Sequence, residues 1–486
     1  MIIGREKEQQ KLRDAYKSGN SEFVVIYGRR RVGKTYLVRE VFDQKFSFTH
    51  AGLANADKSS QLEAWVESLK EYGLNDVPKQ KSWIQAFSLL KEVVRQSKSR
   101  KKVIFIDEMP WMDTQHSGFV TALEHFWNGW ASARKDILLI VCGSATSWII
   151  NNVIKNHGGL HNRVTSKILV NPFTLHECEL YSKWKGLAMS RRQILECYMV
   201  MGGIPFYWSF LRKGKSLPQN IDDIFFSPGA ELKSEFDELF ASLFKNPEKY
   251  VKIVTTLAKK RVGMTRGELI KAEKIHNSGN MTKALEDLEN CGFIRKYSPL
   301  GRKERGALYQ LIDFYTLFYF KFNHSDKNID PHYWSLSQGM PLYNIWCGLA
   351  FERVCFEHVR QIKIGLGISG ILSNVYSWRS RNYQIEEEEG NNVKHKKSGE
   401  KGAQIDMLID RKDQVITLCE MKYSKNKYSI DADYDEALLN KVERFRTETD
   451  TKKAVQVALV TTVGLTLNEY SDDVQNVIVM DQLFES

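Results

Sequence analysis

The sequence predicts an α/β protein of several domains, with a parallel sheet that carries a phosphate-binding loop near the start and a second, smaller α/β unit near the end. Its 486 residues exceed what one hydrophobic core usually contains, so about three domains are expected. A glycine-rich loop at residues 28–35 lies between an apolar run and a helical pattern. Asp406 and the triplet Glu420-Met421-Lys422 lie on two strand-like runs near the end. The loop indicates nucleotide binding, and the acidic residues indicate phosphodiester cleavage.

The glycine-rich loop has the spacing of a P-loop. It follows a predicted strand at residues 22–27 and reads Gly28-Arg29-Arg30-Arg31-Val32-Gly33-Lys34-Thr35. Gly28 and Gly33 allow backbone N–H groups to wrap around phosphates. Lys34 would reach the β- and γ-phosphates, and the hydroxyl of Thr35 would bind Mg²⁺. We therefore predict that the whole loop contacts the nucleotide or its metal ion.

Two adjacent acids end the apolar run at residues 102–108. Asp107 would hold Mg²⁺, directly or through water, and Glu108 would activate the attacking water. In the alternative interpretation, Glu108 only caps the end of the strand. Two acids after four consecutive apolar residues favour the catalytic interpretation, so the sequence predicts hydrolysis rather than binding alone.

Two further segments lead to the same region. Residues 136–142 form an apolar strand that delivers Ser144 to the carboxyl edge of the sheet, where ligands of open α/β folds bind. Ser144 or Thr146 would then sense the γ-phosphate. Arg163 precedes another predicted strand and would reach the γ-phosphate as an arginine finger. An ordinary surface position is the alternative for Arg163.

Together these motifs resemble the archaeal-type ATPase family, within the AAA and STAND group of P-loop NTPases. The matching segments, besides the P-loop, are Ile3-Gly4-Arg5-Glu6-Lys7-Glu8, Ile106-Asp107-Glu108, Cys142-Gly143-Ser144 and Gly202-Gly203-Ile204-Pro205. The resemblance implies that the nucleotide is ATP and that Arg5 approaches the adenine or the phosphates. We therefore predict an ATPase domain at residues 1–172 and a helical lid at residues 173–245.

Residues 246–335 have the pattern of a winged helix, in which three helical segments precede two strand-like runs joined by a basic loop. Residues 281–289 would be the recognition helix and residues 298–306 the wing. The basic residues of the wing suit phosphate contacts, whereas the acids of the helix disfavour DNA. Winged helices also serve as protein-interaction or structural units, so both interpretations stay open.

The last segment, residues 336–486, resembles the core of PD-(D/E)xK nucleases by its predicted order of helix, three strands, helix and strand. Asp406 and Glu420 lie on neighbouring predicted strands and would hold Mg²⁺. Glu352 on the preceding helix would complete or orient the metal shell, and Lys422, on the same face as Glu420, would position water or stabilise the scissile phosphate. Isoleucine precedes Asp406 where the motif has proline. A surface pair of Glu420 and Lys422 without catalysis is the alternative.

Bulk composition agrees with these assignments. Lys and Arg total 70 against 59 Asp and Glu, a net charge of +11 that favours a nucleic-acid partner, although a basic cytosolic enzyme is the alternative. The start lacks a secretory signal, and the most apolar stretch, at residues 137–150, is too short to cross a bilayer. We therefore predict a cytoplasmic protein without membrane contact. Seven scattered cysteines indicate reduced core thiols.

The combined prediction is an ATP-binding and ATP-hydrolysing, DNA-directed enzyme with a Mg²⁺-dependent nuclease domain. The ATP state would regulate DNA engagement or cleavage by changing how the domains pack. The alternative is a STAND-like switch in which ATP drives homo-oligomerisation, while the winged helix and the nuclease-like domain are non-catalytic binding modules.

Overall fold

The computed structural model describes residues 1–75, 77–156, 158–244, 246–273, 279–298, 300, 306–323, 330–380 and 402–486. Within these ranges the chain forms, in order, a parallel sheet with its helices, a helical segment, a small antiparallel sheet with three helices, and a mixed sheet.

The first unit is a five-stranded parallel sheet with helices on both faces. Its elements are α1 (Glu6–Lys17), β1 (Glu22–Tyr27), α2 (Lys34–Val41), β2 (Phe48–Ala51), α3 (Lys58–Glu71), α4 (Trp83–Gln96), β3 (Lys102–Asp107), α5 (Phe119–Phe126), β4 (Ile137–Gly143), α6 (Thr146–Ile149) and β5 (Ser166–Leu169). The strand order is β2-β3-β4-β1-β5, so β4 separates β1 from β3. Because the carboxyl ends of parallel strands share one edge, the loops after β1, β3 and β4 meet there.

A helical segment follows, made of α7 (Leu175–Lys185), α8 (Arg191–Met201), α9 (Pro205–Trp208), α10 (Leu217–Ile221) and α11 (Glu235–Leu243). The turn between α8 and α9 contains Gly203, whose carbonyl accepts a hydrogen bond from Phe173 N–H at 2.6 Å. A Cβ atom on Gly203 would lie only 1.9 Å from the carbonyl oxygen of Phe173. Glycine is therefore required where this turn closes against the end of the ATPase sheet.

The middle unit combines three helices with a three-stranded antiparallel sheet of order β6-β8-β7. Its elements are α12 (Pro247–Ala258), β6 (Met264–Thr265), α13 (Arg266–Glu273), α14 (Gly279–Asn290), β7 (Ile294–Tyr297) and β8 (Leu308–Leu311), followed by α15 (Phe314–Phe318) and α16 (Tyr333–Leu336). Most of the predicted wing, namely position 299 and residues 301–305, lies outside the described residues.

The C-terminal unit is a mixed sheet of order β13-β12-β11-β10-β9. Its elements are α17 (Pro341–Glu357), α18 (Val359–Gly365), β9 (Ser373–Arg379), β10 (Gln404–Arg411), β11 (Val415–Lys422), α19 (Ala432–Thr449), β12 (Ala454–Thr461) and β13 (Asn476–Val479). The predicted order of helix, three strands, helix and strand is therefore present, with α18 and β13 in addition. Residues 381–401, between β9 and β10, lie outside the described residues.

One hydrophobic cluster connects all four segments. It contains Leu37 beside the parallel sheet, Trp208 of the helical segment, Leu285 of the middle unit and Phe351 beside the mixed sheet. The seven cysteines are all buried and free of disulfides. Of the helices in the described ranges, none is both long and apolar enough to cross a membrane. The units thus pack on one another through a shared core rather than as separate globules.

Candidate functional site

The P-loop joins β1 to α2 through two glycines with positive φ. Gly28 has φ 142°, and a Cβ atom there would lie 2.3 Å from the carbonyl oxygen of Val170. Gly33 has φ 88° and forms the N-cap of α2. Both positions favour glycine, because backbone of this conformation strains other residues. The loop therefore has the backbone geometry that the sequence predicted.

Lys34 lies across the mouth of this loop. Its Nζ donates to the carbonyl oxygens of Gly28 at 2.9 Å and Arg29 at 2.8 Å, and to Ser144 Oγ at 3.1 Å. The side chain is buried, and its acceptors belong to the loops after β1 and β4. The ammonium thus lies where the P-loop lysine contacts the terminal phosphates of a nucleotide.

Thr35 and Asp107 form the second part of the site. Thr35 Oγ1 donates to Asp107 Oδ2 at 2.7 Å, and the other carboxylate oxygen of Asp107 accepts from Glu108 N–H at 2.9 Å. A hydroxyl and a carboxylate side by side are hard oxygen ligands of the kind Mg²⁺ prefers. The two residues therefore offer ligands that fit a magnesium ion, and their role in binding one stays a prediction.

Glu108 faces the site instead of only ending its strand. Its carboxylate accepts hydrogen bonds from Ser144 Oγ at 2.7 Å and Ser144 N–H at 3.1 Å. Glu108 has φ 43°, a left-handed conformation that is uncommon for a residue with a side chain. Such strain often accompanies functional positions. The geometry therefore favours the catalytic interpretation of Glu108 over the cap.

The cleft beside these residues has a volume of about 950 Å³. Arg30 and Arg31 line it, together with an apolar and aromatic set formed by Ile2, Ile3, Phe173, Tyr181, Trp184 and Phe206. Arg5 also lines the cleft, with its guanidinium 4.7 Å from the centre of the Phe173 ring and its Nη2 3.3 Å from the carbonyl oxygen of Val32. Burial lowers the pKa of Arg5. The cleft thus combines polar side chains with aromatic ones suited to a purine base.

The P-loop arginines are engaged in a way that sequence reasoning missed. Arg29 forms a buried ion pair with Asp313, the N-cap of α15. Arg31 makes a bidentate pair with Glu235 of α11, at 2.7 and 2.6 Å. The hydroxyl of Tyr207 also donates to Glu235, at 3.1 Å. The side chain of Arg29 is therefore directed away from the cleft, and only the backbone of this residue remains available to the phosphates.

Arg163 lies outside this arrangement. It is exposed in the turn before β5 and is not among the described residues that line the cleft. A contact between Arg163 and the nucleotide of the same chain is therefore not formed here. The arginine-finger role stays a prediction, and it would require the nucleotide of a neighbouring molecule.

The predicted recognition helix, α14, packs against the ATPase unit. Asn290 Nδ2 donates to Ser147 Oγ at 3.2 Å. One side of α14, with Asn280, Lys283 and Asp287, lines a second cleft of about 830 Å³ that also contains Glu108 and Ser144. This side of α14 thus borders the cleft that contains Glu108 and Ser144.

In the C-terminal unit, Asp406 and Glu420 lie on adjacent antiparallel strands. Met407 pairs with Cys419, and extending this register by one residue places Asp406 opposite Glu420. However, the pairing of β10 with β9 is irregular between Ile405 and Leu408. A bulge of this kind re-aims side chains. Strict alternation therefore does not determine the direction of Asp406.

The two acids have different partners. The Glu420 carboxylate accepts from Lys441 Nζ at 2.8 Å and Tyr434 OH at 3.1 Å, both on α19. The amide of Gln404 donates to Asp406 Oδ1. Lys422 lies 3.9 Å from the centre of the Tyr434 ring, and burial lowers its pKa. Glu420 and Lys422 are thus held together against α19.

The charge of Asp406 acts on a third acid, Glu352 on α17. Burial, and then the charge of Asp406, raise the pKa of Glu352 to about 7. Its carboxylate is paired with the guanidinium of Arg261, from the middle unit. In the described part of the chain, no three acidic, histidine or cysteine side chains are grouped closely enough to hold a metal ion. A shared metal shell of Glu352, Asp406 and Glu420 therefore stays a prediction.

The comparisons with known proteins concern the part of the chain that contains the P-loop cleft. Residues 2–209 match a family model described as an ATPase domain predominantly from Archaea. An uncharacterized protein of Methanocaldococcus jannaschii is 26% identical over 378 residues, which cover 74% of this chain and 78% of that protein.

Among solved structures, a Walker-type ATPase of Pyrococcus abyssi aligns with a TM-score of 0.46 and 15% identity, over 66% of this chain and 96% of that one. The ORC2 protein of Aeropyrum pernix aligns with a TM-score of 0.38 and 12% identity, over 74% and 95% of the two chains. Both scores are low, so the assignment depends on the family match and on the geometry of the P-loop. Residues 2–209 of this protein are thus similar to the archaeal ATPase domain and contain a P-loop between β1 and α2.

Proposed function

We propose that the protein is an ATP-hydrolysing switch, in which the state of the nucleotide changes how the helical and middle units pack on the ATPase unit and thereby controls the C-terminal unit. The observation that carries this proposal is the pairing of two P-loop arginines with distant acids. Arg29 binds Asp313 and Arg31 binds Glu235, so the loop that wraps the phosphates is tied to both neighbouring units. A change in this loop is therefore transmitted to them directly.

The chain's own residues supply the steps of hydrolysis. Lys34 and the P-loop N–H groups bind and orient the β- and γ-phosphates. Thr35 and Asp107 would hold Mg²⁺, which would neutralise charge on the phosphates. Glu108 then accepts the proton of the attacking water, and Ser144 keeps the Glu108 carboxylate directed toward the γ-phosphate edge.

Replacement of Lys34 by alanine tests the nucleotide site. We expect ATP affinity to fall by roughly 100-fold or more, because a buried cation at the phosphates makes charge-assisted hydrogen bonds that alanine cannot replace. Isothermal titration calorimetry with ATP and Mg²⁺ measures the change. Lys45→Ala is the matched control, since Lys45 Nζ lies in an exposed pair with Asp43. Equal ATP affinity of Lys34→Ala and the wild type would remove the P-loop from the proposal.

DNA is the partner that we propose for the switch. The net charge of +11 favours a polyanion. The middle unit also has the helix and strand order of a winged helix, with α14 in the place of the recognition helix. Because α14 borders the cleft of Glu108 and Ser144, DNA engagement and the nucleotide state would influence each other.

Metal-dependent DNA cleavage by the C-terminal unit is a second candidate. It is favoured by the register that places Asp406 opposite Glu420 and by the effect of the Asp406 charge on Glu352. Carboxylates suit a hard divalent cation, and the charges of both Glu420 and Glu352 act on Lys422. Cleavage would require the carboxylate of Glu352 to leave Arg261 and that of Glu420 to leave Lys441.

Plasmid nicking tests this candidate. With Mn²⁺, the wild type is expected to nick supercoiled DNA, and Arg261→Ala to nick it several-fold faster because Glu352 is then free to bind the cation. Lys422→Ala should reduce nicking to background, while Lys427→Ala, which changes an exposed lysine, should leave it unchanged. Gel electrophoresis with and without ATP reports both nicking and mobility shift. Intact plasmid with every variant would leave the C-terminal unit as a non-catalytic binding module.

A further inference from the structure

Arg31 is positioned between the nucleotide cleft and the start of α11. Its Nη2 lies 2.6 Å from Glu235 Oε2 and 3.8 Å from Glu238 Oε2. Its guanidinium also lies 4.0 Å from the centre of the Phe206 ring. Both Arg31 and Glu238 line the cleft of the P-loop. One guanidinium is thus within reach of two carboxylates and of the space that the phosphates would enter.

Arg31 differs in this respect from Arg29. The pair of Arg29 and Asp313 is buried on both sides, with side-chain exposures of 6% and 3%. Arg31 retains 18% of its side-chain exposure and Glu238 retains 62%. Arg29 is therefore a fixed anchor, whereas the more exposed Arg31 can turn within the cleft. Glu235, whose side chain is 2% exposed, would then depend on Tyr207 OH and on the N-terminus of α11 for stabilisation.

Carboxylate and phosphate are alternative partners for the same guanidinium. Both accept two parallel N–H donors, and phosphate offers more charge to an arginine. A nucleotide bound along the P-loop would bring phosphate oxygens to the end of the cleft that Arg30, Arg31 and Lys34 line. Glu235 and Glu238 would then compete with the nucleotide for Arg31.

We propose that Arg31 exchanges the carboxylates of Glu235 and Glu238 for a nucleotide phosphate, and that this exchange releases the first turn of α11 from the P-loop. The inference rests on the ATP-binding function proposed above and specifies how that site is regulated. After the exchange, Glu235 keeps the hydrogen bond from Tyr207 OH. The three acids of the first turn, Glu235, Asp237 and Glu238, also interact favourably with the helix N-terminus, which stabilises the carboxylates that Arg31 releases.

Release of α11 from the P-loop would change the shape of both clefts, because α11 lines each of them. Its last turn contributes Ala241 and Ser242 to the lining of both clefts. After Leu243, the chain continues into α12, which begins at Pro247 and borders the cleft with Lys249 and Tyr250. A movement of α11 therefore alters the cleft between the ATPase unit and α14, where the proposed DNA-reading helix lies.

Substitution of Glu235 by glutamine tests the exchange. Glutamine keeps the shape of the side chain and can still accept from Tyr207, so folding is expected to be retained. We expect ATP affinity, measured by calorimetry, to rise by roughly tenfold, because Arg31 no longer leaves an ionic partner to bind phosphate. Glu238→Gln, at an exposed position, should give a smaller rise in the same direction. Glu231→Gln is the matched control, because Glu231 pairs with Arg212 and not with Arg31.

A double-mutant cycle separates the exchange from a general effect of charge. In an Arg31→Met background, Glu235→Gln is expected to leave ATP affinity unchanged, since its effect passes through the arginine. An equal rise in affinity in that background would overturn the exchange, as would an unchanged affinity of the single variant. If the wild type binds no ATP at all, the proposed function and the exchange fail together; if it binds ATP through Lys34 but shows no coupling, only the exchange fails.

Hydrogen exchange provides a second readout. In the wild type, a non-hydrolysable ATP analogue should increase amide exchange around residues 232–238, at the start of α11, while it protects the P-loop. Arg31→Met should show the faster exchange at the start of α11 with or without the analogue. Exchange there that does not respond to nucleotide in the wild type would contradict the release of α11.

Discussion

Replacement of Glu108 by glutamine is expected to lower kcat for ATP hydrolysis by about 10² to 10⁴ while ATP affinity stays close to that of the wild type. Glutamine preserves the size of the side chain and still accepts a hydrogen bond from Ser144, but it cannot take a proton from water. Lys34, Thr35 and Asp107, which we propose bind phosphate and Mg²⁺, are unchanged. Phosphate release measures kcat, and calorimetry with ATP measures affinity.

Glu92→Gln, which alters an exposed carboxylate on α4, is the control for this experiment. It should hydrolyse ATP as the wild type does. If Glu108→Gln also retained the wild-type kcat, Glu108 would serve only to fix the loop of Ser144, and another group would have to activate the water. A parallel loss of affinity and rate would instead indicate a collapsed site.

The grouping of the P-loop with the acids after β3 could be predicted from the sequence because the residues of each pair are neighbours in the chain. Lys34 and Thr35 follow an apolar strand after the glycine-rich loop, and Asp107 and Glu108 come at the end of another. The parallel sheet then brings the two pairs together without any further information. Ser144 follows from the same rule, because β4 lies between β1 and β3.

The partners of the P-loop arginines could not be predicted in this way. Arg29 and Asp313 are 284 positions apart, and Arg31 and Glu235 are 204 apart. Hydrophobic periodicity describes how one element meets its core, but it does not indicate which charged side chains of distant elements will pair. From the sequence, all arginines of the P-loop are easily interpreted as phosphate contacts. In the structure, Arg29 and Arg31 instead pair with acids of other units.

The C-terminal acids show a related limit. Period-two alternation predicts that Asp406 and Glu420 share a face, but the irregular pairing between Ile405 and Leu408 removes that guarantee. The pairing of Glu352 with Arg261 also crosses from one unit to another. Element order was recognisable from the sequence, whereas the ionic partners that govern any metal binding depend on tertiary packing.

Replacement of Asp313 by alanine is expected to lower the free energy of unfolding by about 3–5 kcal/mol, because it leaves the buried guanidinium of Arg29 without its ionic partner. Although burial acts to lower it, the charge of Asp313 and the hydrogen bond between the two side chains raise the pKa of Arg29, so the arginine stays charged. Asp313 also caps α15 by accepting from Thr316 N–H at 3.0 Å, which adds to the loss. Urea denaturation followed by tryptophan fluorescence measures the change.

Two further variants separate the ion pair from the cap. Asp330→Ala, at an exposed position, should leave the free energy of unfolding within about 0.5 kcal/mol of the wild type. The double variant Arg29→Met and Asp313→Asn removes both charges but keeps a capping side chain, and it should recover most of the stability. If the double variant were as unstable as Asp313→Ala, charge burial would not be the cause. Recovery of stability together with altered ATP affinity would instead show that the pair exists to connect the P-loop to α15 rather than to stabilise the fold.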